Sequence, residues 1–229
     1  MSAVDRLRGG LVVSCQVPPG HPLRSPAVIA RLAECAVAGG AVGVRVHSAE
    51  DIRAVRVAVP NLPIIGLHKV PAADRDIITP RFELAEELVG AGADIVAFEA
   101  TDRAELPAGV MIERIHAELG VPVMADVATF DAGVRAFESG AALVGSTLSG
   151  YTPDSPVQDE PDFALVASLA AAGVRTVAEG RLSTAEHVQT AFTAGAYAVV
   201  IGTAITDPIA ITRRFVSATP VRPGGHGWQ

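Results

Sequence analysis

Residues 195–203 read GAYAVVIGT. A glycine that can end a helix is followed at once by a short apolar run, and the run stops on Gly-Thr. That is how an amphipathic helix meets a strand buried on both faces in a parallel sheet. The same junction opens at Gly40 (GAVGVRV), Gly92 (GADIVAF), Gly140 (GAALVGS) and Gly173 (GVRTVAE). The intervals between these glycines are 52, 48, 33 and 22 residues. A strand with its helix takes roughly 25 to 30 residues, so the first two intervals hold two units each and the last two hold one. The missing strands stand at Leu62 (LPIIGLH) and Val121 (VPVMADV), and LVVSC from Leu11 brings the count to eight.

Between the strands, apolar residues recur at helical spacing: Val28, Ile29, Leu32 and Ala36; Met111, Ile115 and Leu119; Phe130, Val134 and Phe137; Val188, Ala191 and Phe192. Ser25-Pro26, Thr79-Pro80, the run STAE from Ser183, and Asp207-Pro208 offer helix starts. Eight short strands in strict alternation with helices predict a single (β/α)8 barrel over residues 1–217, with a disordered tail over 218–229. An open doubly wound sheet is the competitor, but the first strand leads into SCQVPPG, without a G-x-G-x-x-G. The polar stretch Thr147 to Glu160 after the sixth strand reads as an active-site loop.

Composition narrows the function. The chain has 229 residues, 49% of them hydrophobic, and a net charge of −7, which gives no basic field for nucleic acid or an anionic membrane. No apolar run approaches the ~18 residues of a membrane span, and the N-terminus lacks the apolar core of a signal peptide. Cys15 and Cys35 form no C-x-x-C pair, and a cytoplasmic protein is expected. The six histidines show no metal-binding spacing, so no metal is expected, and Cys15 lacks a histidine partner for nucleophilic work.

In such a barrel the chemistry lies at the C-terminal strand ends. Here these carry Gln16, Arg45, Lys69, Glu99 with Thr101, Asp126, Ser146 with Thr147, Glu179 with Gly180 and Arg181, and Gly202 with Thr203. Lys69 stands out because the 18 basic residues are 17 arginines and this one lysine. Arginine serves as a surface cation but stays protonated, whereas a desolvated lysine can be brought to about 7 or 8 and act as a base. Strand alternation sends Lys69, Asp126 and Glu179 to one side, into the mouth. Asp126 and Glu179 could instead pair structurally with Arg45, Lys69 or Arg181. Gly180 and Gly202-Thr203, after the seventh and eighth strands, fit a backbone phosphate site to which Arg181 could add charge.

Taken together, the runs VSCQ from Val13, GGAVGVR from Gly39, LPIIGLHK from Leu62, FEAT from Phe98, MADVAT from Met124, GSTLSGYT from Gly145, PDF from Pro161, VAEGR from Val177 and GAYAVVIGTAIT from Gly195 closely resemble the N-acylglucosamine-6-phosphate 2-epimerases, also called N-acetylmannosamine-6-phosphate 2-epimerases. The resemblance spans about residues 10 to 216. It implies a phosphate-binding barrel that interconverts N-acetylmannosamine 6-phosphate and N-acetylglucosamine 6-phosphate in sialic acid catabolism, without cofactor or metal. By this resemblance Lys69 is the acid/base at C2, and Glu179 assists ring opening or is the second acid/base. Asp126 and Arg45 position the sugar, Gln16 and Thr147 contribute to binding it, and Gly180, Arg181, Gly202 and Thr203 hold the 6-phosphate. A homodimer is the expected assembly. Two departures stand out: the family follows its lysine with Arg-Asp-Tyr, where this chain reads VPAAD, and it ends its fourth strand in Asp-Ala-Thr, where this chain has Glu99-Ala-Thr. Rival readings are a phosphate-binding isomerase or synthase of amino-acid biosynthesis, disfavoured by SGYT and AEGR, and a sugar-phosphate sensor, disfavoured by the retained Lys69 and Glu179.

Overall fold

In the computed structural model, which describes residues 1–220, the elements follow one another as α1 (Ala3–Leu7), β1 (Leu11–Cys15), α2 (Pro26–Ala38), β2 (Gly43–His47), α3 (Ala49–Ala58), β3 (Ile64–Leu67), β4 (Lys69–Val70), β5 (Ile77–Ile78), α4 (Phe82–Ala91), β6 (Ile95–Glu99), α5 (Ala108–Arg114), β7 (Val123–Asp126), α6 (Phe130–Glu138), β8 (Leu143–Gly145), α7 (Phe163–Ala171), β9 (Thr176–Glu179), α8 (Ala185–Thr193), β10 (Ala198–Ile201), α9 (Thr203–Thr206) and α10 (Pro208–Val216). The eight junction strands close a parallel barrel in the order β1-β2-β3-β6-β7-β8-β9-β10 and back to β1. The (β/α)8 expectation holds. Of the tail expected from residue 218, residues 221–229 lie outside the described residues.

Alternation along each strand divides the core in two. Val12, Ile65, Leu67, Ile95, Ala97, Met124, Leu143, Val177, Ala198 and Val200 fill the barrel. Val13, Val44, Val46, Ile64, Val96, Phe98, Ala125 and Val144 face the helices. At the N-terminal end α1 closes the base with Val4 and Leu7, and the Tyr197 hydroxyl donates to the Val4 carbonyl at 3.2 Å.

Three expectations need correction. Lys69 does not end a barrel strand: β3 stops at Leu67, and Lys69 opens a separate antiparallel ribbon in which it pairs with Ile78 of β5. Thr79-Pro80 does not start a helix, since α4 begins at Phe82; Thr79 takes a left-handed φ of 47° and serves the ribbon instead. The stripe of α6 is only partly as expected: Val134 and Phe137 are partly buried against the core, but Phe130 is 40% exposed, and Gly133 and Ala136 are the fully buried residues. The helix approaches so closely that a Cβ on Gly133 would stand 2.6 Å from Leu169 Cδ2, so the small residues face inward and the aromatic ones flank. The stripes on α2 and α8 are found as expected, and that of Met111, Ile115 and Leu119 runs on from α5 into a π-helical turn over Ile115–Leu119; at the caps Ser25, Thr184 and Asp207 each side chain accepts a backbone N–H.

Candidate active site

The inward parity that fills the barrel with aliphatics ends, one layer higher, in charge. Arg45 on β2, Glu99 on β6, Asp126 on β7 and Glu179 on β9 occupy the mouth positions of their strands. Arg45 is 1% exposed and ties two carboxylates together. Its Nη2 donates to Asp126 Oδ2 at 2.5 Å, and its Nη1 donates to Asp126 Oδ1 at 3.1 Å and to Glu179 Oε2 at 2.5 Å. Thr147 Oγ1 donates to Asp126 Oδ1 at 2.6 Å. Ser146 fixes the Glu179 backbone from both sides: its hydroxyl donates to the carbonyl at 2.9 Å and accepts the N–H at 3.1 Å. Gly145 has to be a glycine, because a Cβ there would stand 2.8 Å from Thr147 Oγ1 and 2.9 Å from Asp126 Oδ1.

One cation therefore serves two buried carboxylates, and the balance moves their protons. Burial would lower the Arg45 pKa, but Asp126 and Glu179 outweigh it and raise it. Glu179 is pushed up to about 7, chiefly by burial and then by Asp126, against the opposing pull of Arg45 and Lys69. The hydrogen bond from Arg45 favours the ionised carboxylate, but Arg45 divides its charge with Asp126 and leaves Glu179 only partly compensated.

Lys69 stands over this cluster, exposed on its solvent side. Its ammonium forms no ion pair or hydrogen bond among the described residues. Crowding on its protein side and the nearby Arg45 lower its pKa, with Glu179, Asp76 and Asp126 pulling the other way. Its backbone N–H donates to His47 Nδ1 at 3.1 Å. Burial, His68 and Lys69 itself depress the His47 pKa to about 4, which keeps the ring neutral and able to accept. His47 was not anticipated from the sequence, although it shares the inward parity of Arg45 two residues earlier on β2.

Gln16 donates from Nε2 to Ser14 Oγ at 2.8 Å, and its Oε1 is buried without a partner. Across the mouth, Gly180 and Arg181 take successive positive φ values of 113° and 59°. Their N–H groups, and those of Gly202 and Thr203, donate to no backbone carbonyl among the described loop bonds. The Arg181 side chain turns away from them. Its Nε donates to the Glu160 carbonyl at 2.9 Å, its Nη2 donates to the Ser149 carbonyl at 2.8 Å, and its guanidinium lies 4.7 Å from the Tyr151 ring. It straps down the 147–160 loop, which Ser149, Gln158 and Asp162 close from within. Among the described residues, no group of three His, Cys, Asp or Glu side chains is placed to hold a metal ion, and no helix is long and apolar enough to cross a membrane.

The family model described as "Putative N-acetylmannosamine-6-phosphate epimerase" matches residues 29–220. Curated relatives carrying the corresponding 2-epimerase name include one from Caldanaerobacter subterraneus subsp. tengcongensis, 43% identical over 95% of this chain and 94% of its own, and one from Synechococcus elongatus, 44% identical over 95% and 97%. The solved N-acetylmannosamine-6-phosphate 2-epimerase from Clostridium perfringens superposes with a TM-score of 0.89 at 35% identity, covering 96% of this chain and 97% of that one. Thiamine phosphate pyrophosphorylase from Pyrococcus furiosus, at 14% identity and a TM-score of 0.62, shares the fold. The chain belongs to the N-acetylmannosamine-6-phosphate 2-epimerase family.

Proposed function

We propose that this mouth interconverts N-acetylmannosamine 6-phosphate and N-acetylglucosamine 6-phosphate, in amino-sugar and sialic acid catabolism, by removing the C2 proton and returning one to the opposite face. The observation that carries the reading is the chain's one lysine, unpaired and with a lowered pKa, set over a buried carboxylate whose pKa is raised. The C2 proton is acidic only in the open-chain aldehyde, so the ring must open first. Glu179, able to exist protonated near neutral pH, is suited to exchange a proton with the ring oxygen or to serve as the second acid/base. Lys69 takes the C2 proton. Arg45 and Asp126 form the charged floor that positions the hydroxyls and the N-acetyl group, and the positive charge of Arg45 offsets the negative charge of the enolate-like intermediate. Thr147 holds Asp126 in place, and the unpartnered Gln16 Oε1 accepts a sugar hydroxyl.

The 6-phosphate then rests on the N–H groups of Gly180, Arg181, Gly202 and Thr203, with Arg181 contributing backbone and loop support more than direct charge. No cofactor or metal enters this scheme, since every step is a proton transfer. A homodimer in the cytoplasm completes the proposal, and light scattering of the purified chain checks the assembly. Incubating the enzyme with N-acetylmannosamine 6-phosphate in D2O tests the reaction. The expected product is N-acetylglucosamine 6-phosphate deuterated at C2; no conversion contradicts the substrate. The unphosphorylated sugar should be a far poorer substrate, and equal activity on both would refute the phosphate site.

A further inference from the structure

Glu99 sits on β6 directly beside Asp126, with the parity of a mouth residue, yet nothing bound there can reach it. It is 0% exposed, and its oxygens are fully engaged. Oε1 accepts from Arg75 Nη2 at 2.7 Å and from Thr101 Oγ1 at 2.5 Å. Oε2 accepts from Arg75 Nη1 at 2.7 Å and from the Ile78 N–H at 3.5 Å. A carboxylate has about four acceptor positions, and here each has a donor. Burial would push its pKa up, but the hydrogen bonds from Arg75 and Thr101 more than offset this and hold it below its ordinary value, as an anion.

What Glu99 grips is the segment that carries Lys69. Arg75 lies in the loop between β4 and β5, and Ile78 is the residue paired with Lys69 in the ribbon. The same segment is fastened to the β6 side at three further points. Asp74 accepts two hydrogen bonds from Arg103 at 2.8 and 2.9 Å, the Thr79 hydroxyl donates to the Ala97 carbonyl at 2.7 Å, and the Glu105 N–H donates to the Pro80 carbonyl at 3.0 Å. Only the Arg75–Glu99 pair is both bidentate and anchored on a buried group.

We propose that Glu99 and Arg75 are positioning residues for proton transfer: their bidentate pair fixes the ribbon and so sets where the Lys69 ammonium stands over the mouth, without either residue touching substrate. This rests on the reading of Lys69 as the C2 base. A shift of about 1 Å in such a group costs about 100-fold in rate. Arg75→Lys keeps the charge but loses the fork, and Glu99→Gln keeps the shape but cannot accept from both guanidinium nitrogens.

The test measures kcat and KM for N-acetylmannosamine 6-phosphate in Arg75→Lys, Glu99→Gln and the double variant. It also uses the 13C-methyl signal of reductively methylated Lys69, which shares the spectrum only with the N-terminus because the chain has one lysine. The expected result is a kcat reduced about 10- to 100-fold with KM within about twofold, a double variant no slower than the slower single one, and a Lys69 signal that titrates closer to ordinary lysine. Arg75 lies in a surface loop, so Arg75→Lys reports even if Glu99→Gln does not fold. An unchanged kcat with an unmoved Lys69 signal overturns the proposal. So does a rise in KM that accounts for the loss, which would place Glu99 on the substrate, or losses that add in the double variant. Failure of the base reading looks different: Lys69→Arg would still exchange the C2 proton, whatever the two positioning variants do.

Discussion

Arg45 is the charge around which the mouth is assembled. It neutralises Asp126 through two hydrogen bonds and Glu179 through one, from a position with almost no access to solvent. Removing one partner of a buried ion pair leaves an uncompensated charge, so Arg45→Met should destabilise the protein by about 3–5 kcal/mol, measured by urea unfolding. A cost below about 1 kcal/mol would mean that the carboxylates find other partners. Glu179 gives the stability curve a pH dependence of definite sign. Its folded pKa of about 7 lies above the ordinary 4.5, so between those values the folded protein holds a proton that the unfolded chain has released. Stability from this group is present below about 4.5 and is lost as pH rises through about 7. Glu179→Gln removes that loss, and its Tm relative to the parent should climb between pH 5 and pH 8. Parallel Tm curves would place the Glu179 pKa back in the ordinary range.

At the scale of elements, glycine and parity account for most of what the sequence discloses. Five glycine junctions, with the strands placed in their gaps at Leu62 and Val121 and at the front at Leu11, located all eight barrel strands, and alternation put Asp126 and Glu179 on one side, because strand geometry is local and the barrel keeps it. The ribbon of Lys69 was illegible. Two residues on each strand carry no periodicity, and what holds them is a set of contacts to β6 and to the loop beyond it. The exposure of Phe130 was hidden for a similar reason, since the close approach of α6 at Gly133 sets which of its residues are buried. The recast segment after Lys69 and the replacement of the family's aspartate by Glu99 looked like separate departures in the sequence. In the fold they meet in one ion pair, Arg75 with Glu99. Gly180 shows how backbone alone can set function: the space beside it is open, with the nearest atoms 3.9 Å from a built Cβ, but its φ is +113°. Gly180→Ala therefore meets strain rather than a clash, worth roughly 1–3 kcal/mol, and KM for the phosphorylated sugar should rise about tenfold or more as the turn relaxes. An unchanged KM would remove this turn from the phosphate site.

The whole molecule separates stability from chemistry along the barrel axis. At the base, Leu7 is 0% exposed and packs with Val4 under the inner layer. At the mouth, the charged cluster concentrates groups that cost stability. Leu7→Ala should destabilise by about 2–5 kcal/mol while leaving kcat unchanged at a temperature where the variant remains folded. A kcat that falls with stability still intact would show that the two ends communicate.

The most direct test of the central claim is the rate of C2 hydrogen exchange into N-acetylmannosamine 6-phosphate in D2O, compared between the parent enzyme and Lys69→Arg. Arginine keeps the positive charge and most of the side-chain length but cannot give up its proton. Exchange is expected to be lost in Lys69→Arg while the fold, followed by circular dichroism, is preserved. Exchange at the parent rate in Lys69→Arg would contradict it.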